Sequence, residues 1–204
     1  MRKLRVGLTG TLGAGKSTAL RELARLGAST ASADEAAHRL SRPGGRISRA
    51  VLRAFGAPYL TKDGAVDRPA LARLVFGNPA ARRRLERLTH PLIIAELRRE
   101  AARGAGPVAV IDAPLLFEAG MAKEFDVTVS VSAPKARALE RLRARDGMTP
   151  AQAARRMRAQ WPQTRKEAAA DVVWRNAGRR SDFVKLVRQY YRAWDLIARS
   201  AQNR

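Results

Sequence analysis

The chain of 204 residues has no cysteine and only two histidines. Disulfides, thiolate metal sites and cysteine nucleophiles are thereby excluded, and two histidines far apart in sequence make no metal centre of their own. Nothing argues for an oxidising compartment. Long apolar runs are also missing. Near the start only residues 6–8 are continuously apolar before glycines begin, so no signal-peptide core is expected, and no window reaches membrane-spanning length. A cytoplasmic protein with no membrane partner is predicted. Aromatic residues make up 5% of the chain, and Trp161, Trp174 and Trp194 are expected as core or semi-buried packing. The scarcest class is acidic. Asp and Glu number 18 against 40 Lys and Arg, a formal net charge of +22. Such a field concentrates phosphorylated substrates and draws polyanions non-specifically. The excess is nearly all arginine, spread on an Ala-, Gly- and Pro-rich background, so a GC-rich coding bias is the simpler source, and no obligate nucleic-acid partner is expected.

Five short strand-like segments alternate with helical patterns. Residues 4–9, 28–33, 107–112, 126–131 and 171–174 read as strands, the third an unbroken apolar run suited to a parallel strand covered on both faces. Residues 35–105 show helical spacing with no strand candidate, interrupted by Pro43-Gly44-Gly45, Asp63-Gly64 and Gly77-Asn78-Pro79. Pro91 should break or bend the longest helix there. Two further helices join through Asp146-Gly147, with Thr149-Pro150 as cap and first residue of the second. A closing helix over 181–201 carries Phe183, Leu186, Val187, Tyr190, Tyr191, Trp194 and Ile197 at core spacing. The pattern predicts an α/β fold: a P-loop three-layer core on a parallel five-stranded sheet, a helical insertion and a helical lid. Ligands belong at the carboxyl ends of the strands.

Gly10-Thr11-Leu12-Gly13-Ala14-Gly15-Lys16-Ser17 fits G-x-x-x-x-G-K-[ST] in full, after a predicted strand and before a predicted helix. Inward-turned N–H groups and a helix N-terminus would hold phosphate. Lys16 supplies a charge to the β and γ phosphates, and the Ser17 hydroxyl can ligate Mg²⁺. Asp34, expected at the end of the second strand, can accept the proton of an attacking hydroxyl; it can equally cap the following helix. Asp112 ends the third strand, where a carboxylate would hold Mg²⁺ through water or merely cap a turn. Next comes the apolar Pro114-Leu115-Leu116-Phe117-Glu118. Arg137, Arg141 and Arg145 share one helix face and Arg155, Arg156 and Arg158 follow, so at least one arginine is expected to close on the transferring phosphoryl group in a two-helix lid. His90 is either structural or a substrate contact.

Taken in order, Val6-Gly7-Leu8-Thr9-Gly10, Leu26-Gly27-Ala28, Ala33-Asp34, Asp63-Gly64, Asp67-Arg68, His90-Pro91, Asp112 with Pro114 to Glu118, Arg145-Asp146-Gly147, Arg156 with Gln160, Lys166, Ala170-Asp171 and Asn176 resemble bacterial dephospho-CoA kinases. The resemblance implies ATP-dependent phosphorylation of the ribose 3′-hydroxyl of dephospho-CoA, the last step of coenzyme A synthesis. It implies a nucleotide-binding core over 1–34, 107–134 and 166–204, a helical CoA-substrate lobe over 35–106, and a lid over 135–165. By position, Gly13, Ala14, Gly15, Lys16, Ser17 and Thr18 would hold the ATP phosphates, Asp34 would be the base, Arg141 the lid arginine and Asn176 near the adenine. His90, Leu115, Leu116 and Phe117 would line the acceptor site. Thr11, Ala14 and Ser32 depart from the family's usual glycine, serine and aspartate. A monomer or weak homo-oligomer is expected. Two other functions fit the same loop: a kinase of another small molecule or of polynucleotide ends, and a nucleic-acid-binding regulator switched by ATP.

Overall fold

The computed structural model describes residues 3–158 and 160–202, with the side chain of Arg156 left outside the described set. Its strands are β1 (Leu4–Gly10), β2 (Ser29–Ser32), β3 (Val108–Asp112), β4 (Val127–Ser132) and β5 (Val172–Arg175). They form one parallel sheet in the order β2-β3-β1-β4-β5. The central place of β1 follows from its pairing: Leu4 to Leu8 lie opposite Val108 to Asp112, and Val6 to Gly10 lie opposite Val127 to Val131. Its carboxyl end is therefore flanked by the ends of β3 and β4.

The helices are α1 (Lys16–Arg25), α2 (Ala33–Leu40), α3 (Arg46–Phe55), α4 (Arg68–Phe76), α5 (Pro79–Arg103), α6 (Lys135–Asp146), α7 (Pro150–Arg158), α8 (Gln163–Ala169) and α9 (Arg180–Gln202). The chain divides into two compact units, Ser32–Arg99 and the remainder. In the sheet-containing unit, α1 and α9 cover one face. Their core joins Val6, Leu8, Leu23, Val110, Val129, Phe183, Val187 and Trp194 around the fully buried Trp174. Trp174 stacks on Trp194 at 5.6 Å between ring centres and meets Phe183 edge-on at 6.4 Å. Leu116 and Phe125 fill the opposite side of β1, where Gly7 leaves no room for a Cβ.

Three local expectations differ from the structure. Ile197 is 57% exposed, because Ala198, four residues after Trp194, takes the inward position. The second strand ends at Ser32 rather than beyond Ala33, since the Ser32 hydroxyl accepts the Glu35 N–H at 3.4 Å and starts α2 there. Asp34 therefore stands in the first turn of a helix that Ser32 caps. Helix α5 runs continuously through Pro91. Proline in a helix interior costs about 3 kcal/mol, yet Leu85 before it and Leu92 and Ile93 after it all pack on the core of Leu40, Ile47, Val51, Val66 and Leu71 within the smaller unit. That burial outweighs the missing N–H.

Several helix starts are written locally. Asp67 accepts the Ala70 N–H at 2.9 Å, and Asn78 accepts that of Ala81 at 2.9 Å, each just ahead of a proline. Thr149 and Gln152 exchange bonds of 3.0 and 3.2 Å, a reciprocal capping box that fixes the entry of α7.

Glu22 ties α1 to α9. Its Oε1 accepts from Arg25 at 3.0 Å and from Arg188 at 2.6 Å. The bonds from Arg25, then from Arg188, hold its carboxyl down at about 2, against an ordinary 4.5. A depressed folded-state value means stabilisation that is complete above about pH 4.5 and lost as pH falls through about 2. Wild type should therefore exceed Glu22→Gln in melting temperature near neutral pH, with the gap closing in this acid window. A gap independent of pH would contradict the pairing.

Candidate active site

The loop between β1 and α1 is built on backbone that only glycine tolerates. Gly13 has φ 78°, and a Cβ there would lie 2.6 Å from the Ala138 carbonyl oxygen of α6. Gly15 has φ 110°, and its Cβ would lie 2.3 Å from Asn176 Nδ2. Helix α1 begins directly after Gly15 with no side-chain cap and no acidic residue in its first turn. Its positive end is thus left for an external anion, whereas α2 carries Ser32, Asp34 and Glu35 at the same place. The Lys16 ammonium lies over the loop, donating to the Gly10 carbonyl at 2.9 Å. Ser17 is exposed and Thr18 half-buried in the first turn.

A second layer of polar contacts holds this loop from behind. Asn176, buried just beyond β5, donates through Nδ2 to the Ala14 carbonyl at 2.8 Å, and its backbone N–H donates to the Ser132 carbonyl at 2.7 Å. The Arg141 guanidinium, from α6, reaches the carbonyls of Gly13 and Ala14 at 3.4 Å and the Asn176 side-chain and main-chain oxygens at 3.2 and 3.3 Å. Arg141 alone of its predicted face turns to the loop: Arg137 is exposed, and Arg145 pairs with Asp146 at 2.7 Å. Arg155 and Arg158 are exposed. The Thr11 hydroxyl donates to Gln163 Oε1 at 3.1 Å, fastening the loop to α8.

Asp112, half-buried, ends β3 opposite Leu8. Beyond it the chain turns outward. Leu115 is 45% exposed and Phe117 half-buried, but Leu116 is fully buried against Gly7. Leu116 is therefore an anchor of this segment rather than part of an acceptor wall. Phe117 stacks on Trp161 with centres 6.3 Å apart, and the Arg165 guanidinium lies 3.5 Å over the Trp161 ring. Trp161 is thus half-buried packing, the second of the two outcomes expected for it. In the smaller unit, His90 is half-buried on α5 and Asp34 is exposed on α2.

Lys166, one of the residues that carry the family resemblance, is given no role by the sequence, and the structure shows an unusual setting for it. On α8, it is completely buried, bonded to Glu118 at 2.9 Å and to the Pro114 carbonyl. Burial pushes its ammonium below the ordinary lysine value, against the opposing pull of Glu118. A lysine in a short amphipathic stretch ordinarily reads as solvated; its burial and its distant partner Glu118 are what the structure adds.

A glycine loop closing on a bare helix end, a lysine over that loop and an arginine from the next helix pair define a P-loop kinase. The dephospho-CoA kinase family model matches residues 4–182. A curated dephospho-CoA kinase of Methylococcus capsulatus is 42% identical over 193 residues, covering 95% of this chain and 98% of that protein. The chain belongs to the dephospho-CoA kinase family. Among solved structures, TT1252 from Thermus thermophilus superposes with a TM-score of 0.81 at 32% identity, covering 93% of this chain and 97% of that one. Shikimate kinase from Acinetobacter baumannii shares the fold, at a TM-score of 0.51 and 18% identity over 94% of each chain.

Losing a buried hydrogen-bond partner costs about 1–3 kcal/mol. Asn176→Ala, which leaves the Ala14 carbonyl without its amide donor, should weaken ATP binding by about tenfold in calorimetric titration, since 1.4 kcal/mol is a factor of ten. Wild-type affinity in this variant would show that the amide does not shape the loop.

Proposed function

We propose that this protein transfers the γ-phosphoryl group of ATP to the ribose 3′-hydroxyl of dephospho-CoA, giving CoA and ADP. The observation that carries it is the complete phosphate loop, braced by Arg141 and Asn176, in a chain of the dephospho-CoA kinase family.

Phosphoryl transfer needs little covalent help from the protein, so positioning and charge carry most of the rate. The loop N–H groups and the α1 N-terminus hold the phosphates. Lys16 spreads the charge that builds on the β–γ bridging oxygen as the Pγ–O bond breaks. The 3′-oxygen forms the new bond to phosphorus, and Asp34 takes its proton. Arg141 exchanges its long carbonyl bonds for stronger charge-assisted ones to phosphate when α6 and α7 close as the lid. His90, Leu115 and Phe117 contact the acceptor, and Asn176 borders the adenine end of the nucleotide site. The lobe that takes the CoA substrate is the helical segment 35–106.

Ser17 and Asp112 offer a hydroxyl and a carboxylate, the hard oxygen donors that Mg²⁺ takes when it arrives with nucleotide phosphates. No group of three or more His, Cys, Asp or Glu among the described residues could hold a metal unaided, which fits an ion delivered with ATP. When bound, Mg²⁺ neutralises phosphate charge. Among the described residues no helix is long and apolar enough to cross a membrane; we place the protein in the cytoplasm, as a monomer or weak homo-oligomer.

The test is ADP release with Mg²⁺-ATP, comparing dephospho-CoA with CoA, adenosine, AMP and short RNA. Turnover is expected with dephospho-CoA alone. Activity only with a nucleoside or RNA would leave the fold intact and replace the acceptor. Lys16→Ala should lower turnover by about 100-fold or more. Asp34→Asn should lower kcat by about 100-fold with the KM for ATP unchanged; a change confined to KM would make Asp34 a binding residue instead of the base.

A further inference from the structure

Lys166 serves none of the steps above, yet it is among the largest fully buried side chains of the molecule. A buried cation loses its hydration, and an apolar side chain of similar volume in its place would often be neutral or stabilising. Stability alone therefore does not account for it. Its geometry does. Lys166 Nζ donates to Glu118 Oε1 at 2.9 Å and to the Pro114 carbonyl. Glu118 Oε1 also accepts the backbone N–H of Trp161 at 2.8 Å, and the Pro114 carbonyl accepts the Thr9 hydroxyl at 3.2 Å. Thr9 stands immediately before the phosphate loop. One ammonium thus joins both ends of the 114–118 segment to α8 and, through Pro114, to the strand that launches the phosphate loop.

What this clamp holds in place is an apolar surface. Leu115 projects outward at 45% exposure from a segment whose neighbour Leu116 is locked in the core. Phe117 is pressed nearly parallel to Trp161, with 13° between the rings, and Arg165 closes over the far aromatic partner. The Glu118 carboxylate that Lys166 holds is also the direct tie between this segment and the Trp161 backbone.

We propose that Lys166 is a positioning residue for the acceptor: its buried bonds to Glu118 and Pro114 set the Leu115–Phe117–Trp161 surface that receives the apolar part of the substrate. The proposal rests on the acceptor assignment made above. It requires the clamp to act on acceptor handling and not on ATP.

The experiment is steady-state kinetics of full-length wild type, Lys166→Met, Lys166→Arg and Glu118→Gln, with dephospho-CoA and ATP varied separately. A displacement of about 1 Å in a positioning element can cost on the order of 100-fold. Lys166→Met is expected to lower kcat/KM for dephospho-CoA by about that factor, mainly through KM, with the KM for ATP unchanged. Lys166→Arg should restore part of the loss. Glu118→Gln, which keeps the shape and the acceptor for Trp161, should shift the KM for dephospho-CoA in the same direction by less, and it carries the test if Lys166→Met does not fold. Equal losses for both substrates, or an unchanged KM for dephospho-CoA in both the Lys166→Met and Glu118→Gln proteins, would overturn the proposal. Silence of the wild type with dephospho-CoA would instead overturn the functional assignment, and the proposal with it.

Discussion

The bond from the Asn176 amide to the Ala14 carbonyl is the contact on which the rest of the site depends. A phosphate loop works only if its N–H groups point inward, and that requires its carbonyls to point away and be satisfied elsewhere. Asn176 satisfies one of them from the end of β5, and Arg141 approaches the same carbonyl from α6. The amide stands so close to the loop that position 15 admits no side chain. Glycine at that point is therefore required twice, by the left-handed backbone and by the buried amide beneath it. Because the Asn176 N–H is in turn bonded to the end of β4, the loop inherits the rigidity of the sheet.

A comparable economy governs the far side of β1. Asp112 is positioned by strand register, and the segment after it is tied to α8 by the buried Lys166 and its half-buried partner Glu118. Polar clamps of this kind fix one arrangement among several that apolar packing would allow, since a misplaced partner leaves a charge buried without compensation. The phosphate loop and the 114–118 segment share α8 as a support, through Gln163 for Thr11 and Lys166 for Pro114. The Thr11 hydroxyl supplies the first of these ties.

Much of the sheet is legible in the sequence, because the third strand is an unbroken apolar run, the fourth alternates valine with hydroxyl residues, and the phosphate loop has a spacing that few other structures need. Asp112 falls at a strand end as its apolar run predicts. Asp34 does not, because the Ser32 hydroxyl starts the helix two residues earlier, and a capping serine is invisible until the strand's end is known. At Pro91 local propensity argues for a break or a bend; the helix is not broken, and the half-buried Leu92 and Ile93 pack on the smaller unit's core. The choice of Arg141 over Arg137 and Arg145 is equally beyond a helical wheel, since all three share a face and only the approach of the loop selects one. Lys166 is named by the family resemblance, but its burial is not legible, because it depends on a carboxylate distant in sequence.

The central claim is that the protein moves a phosphoryl group onto the ribose of dephospho-CoA. Its most direct test is phosphorus NMR of the reaction with Mg²⁺-ATP and dephospho-CoA. A new 3′-phosphomonoester resonance of CoA, growing in step with ADP, is the predicted result; inorganic phosphate growing with ADP while dephospho-CoA remains intact would contradict it.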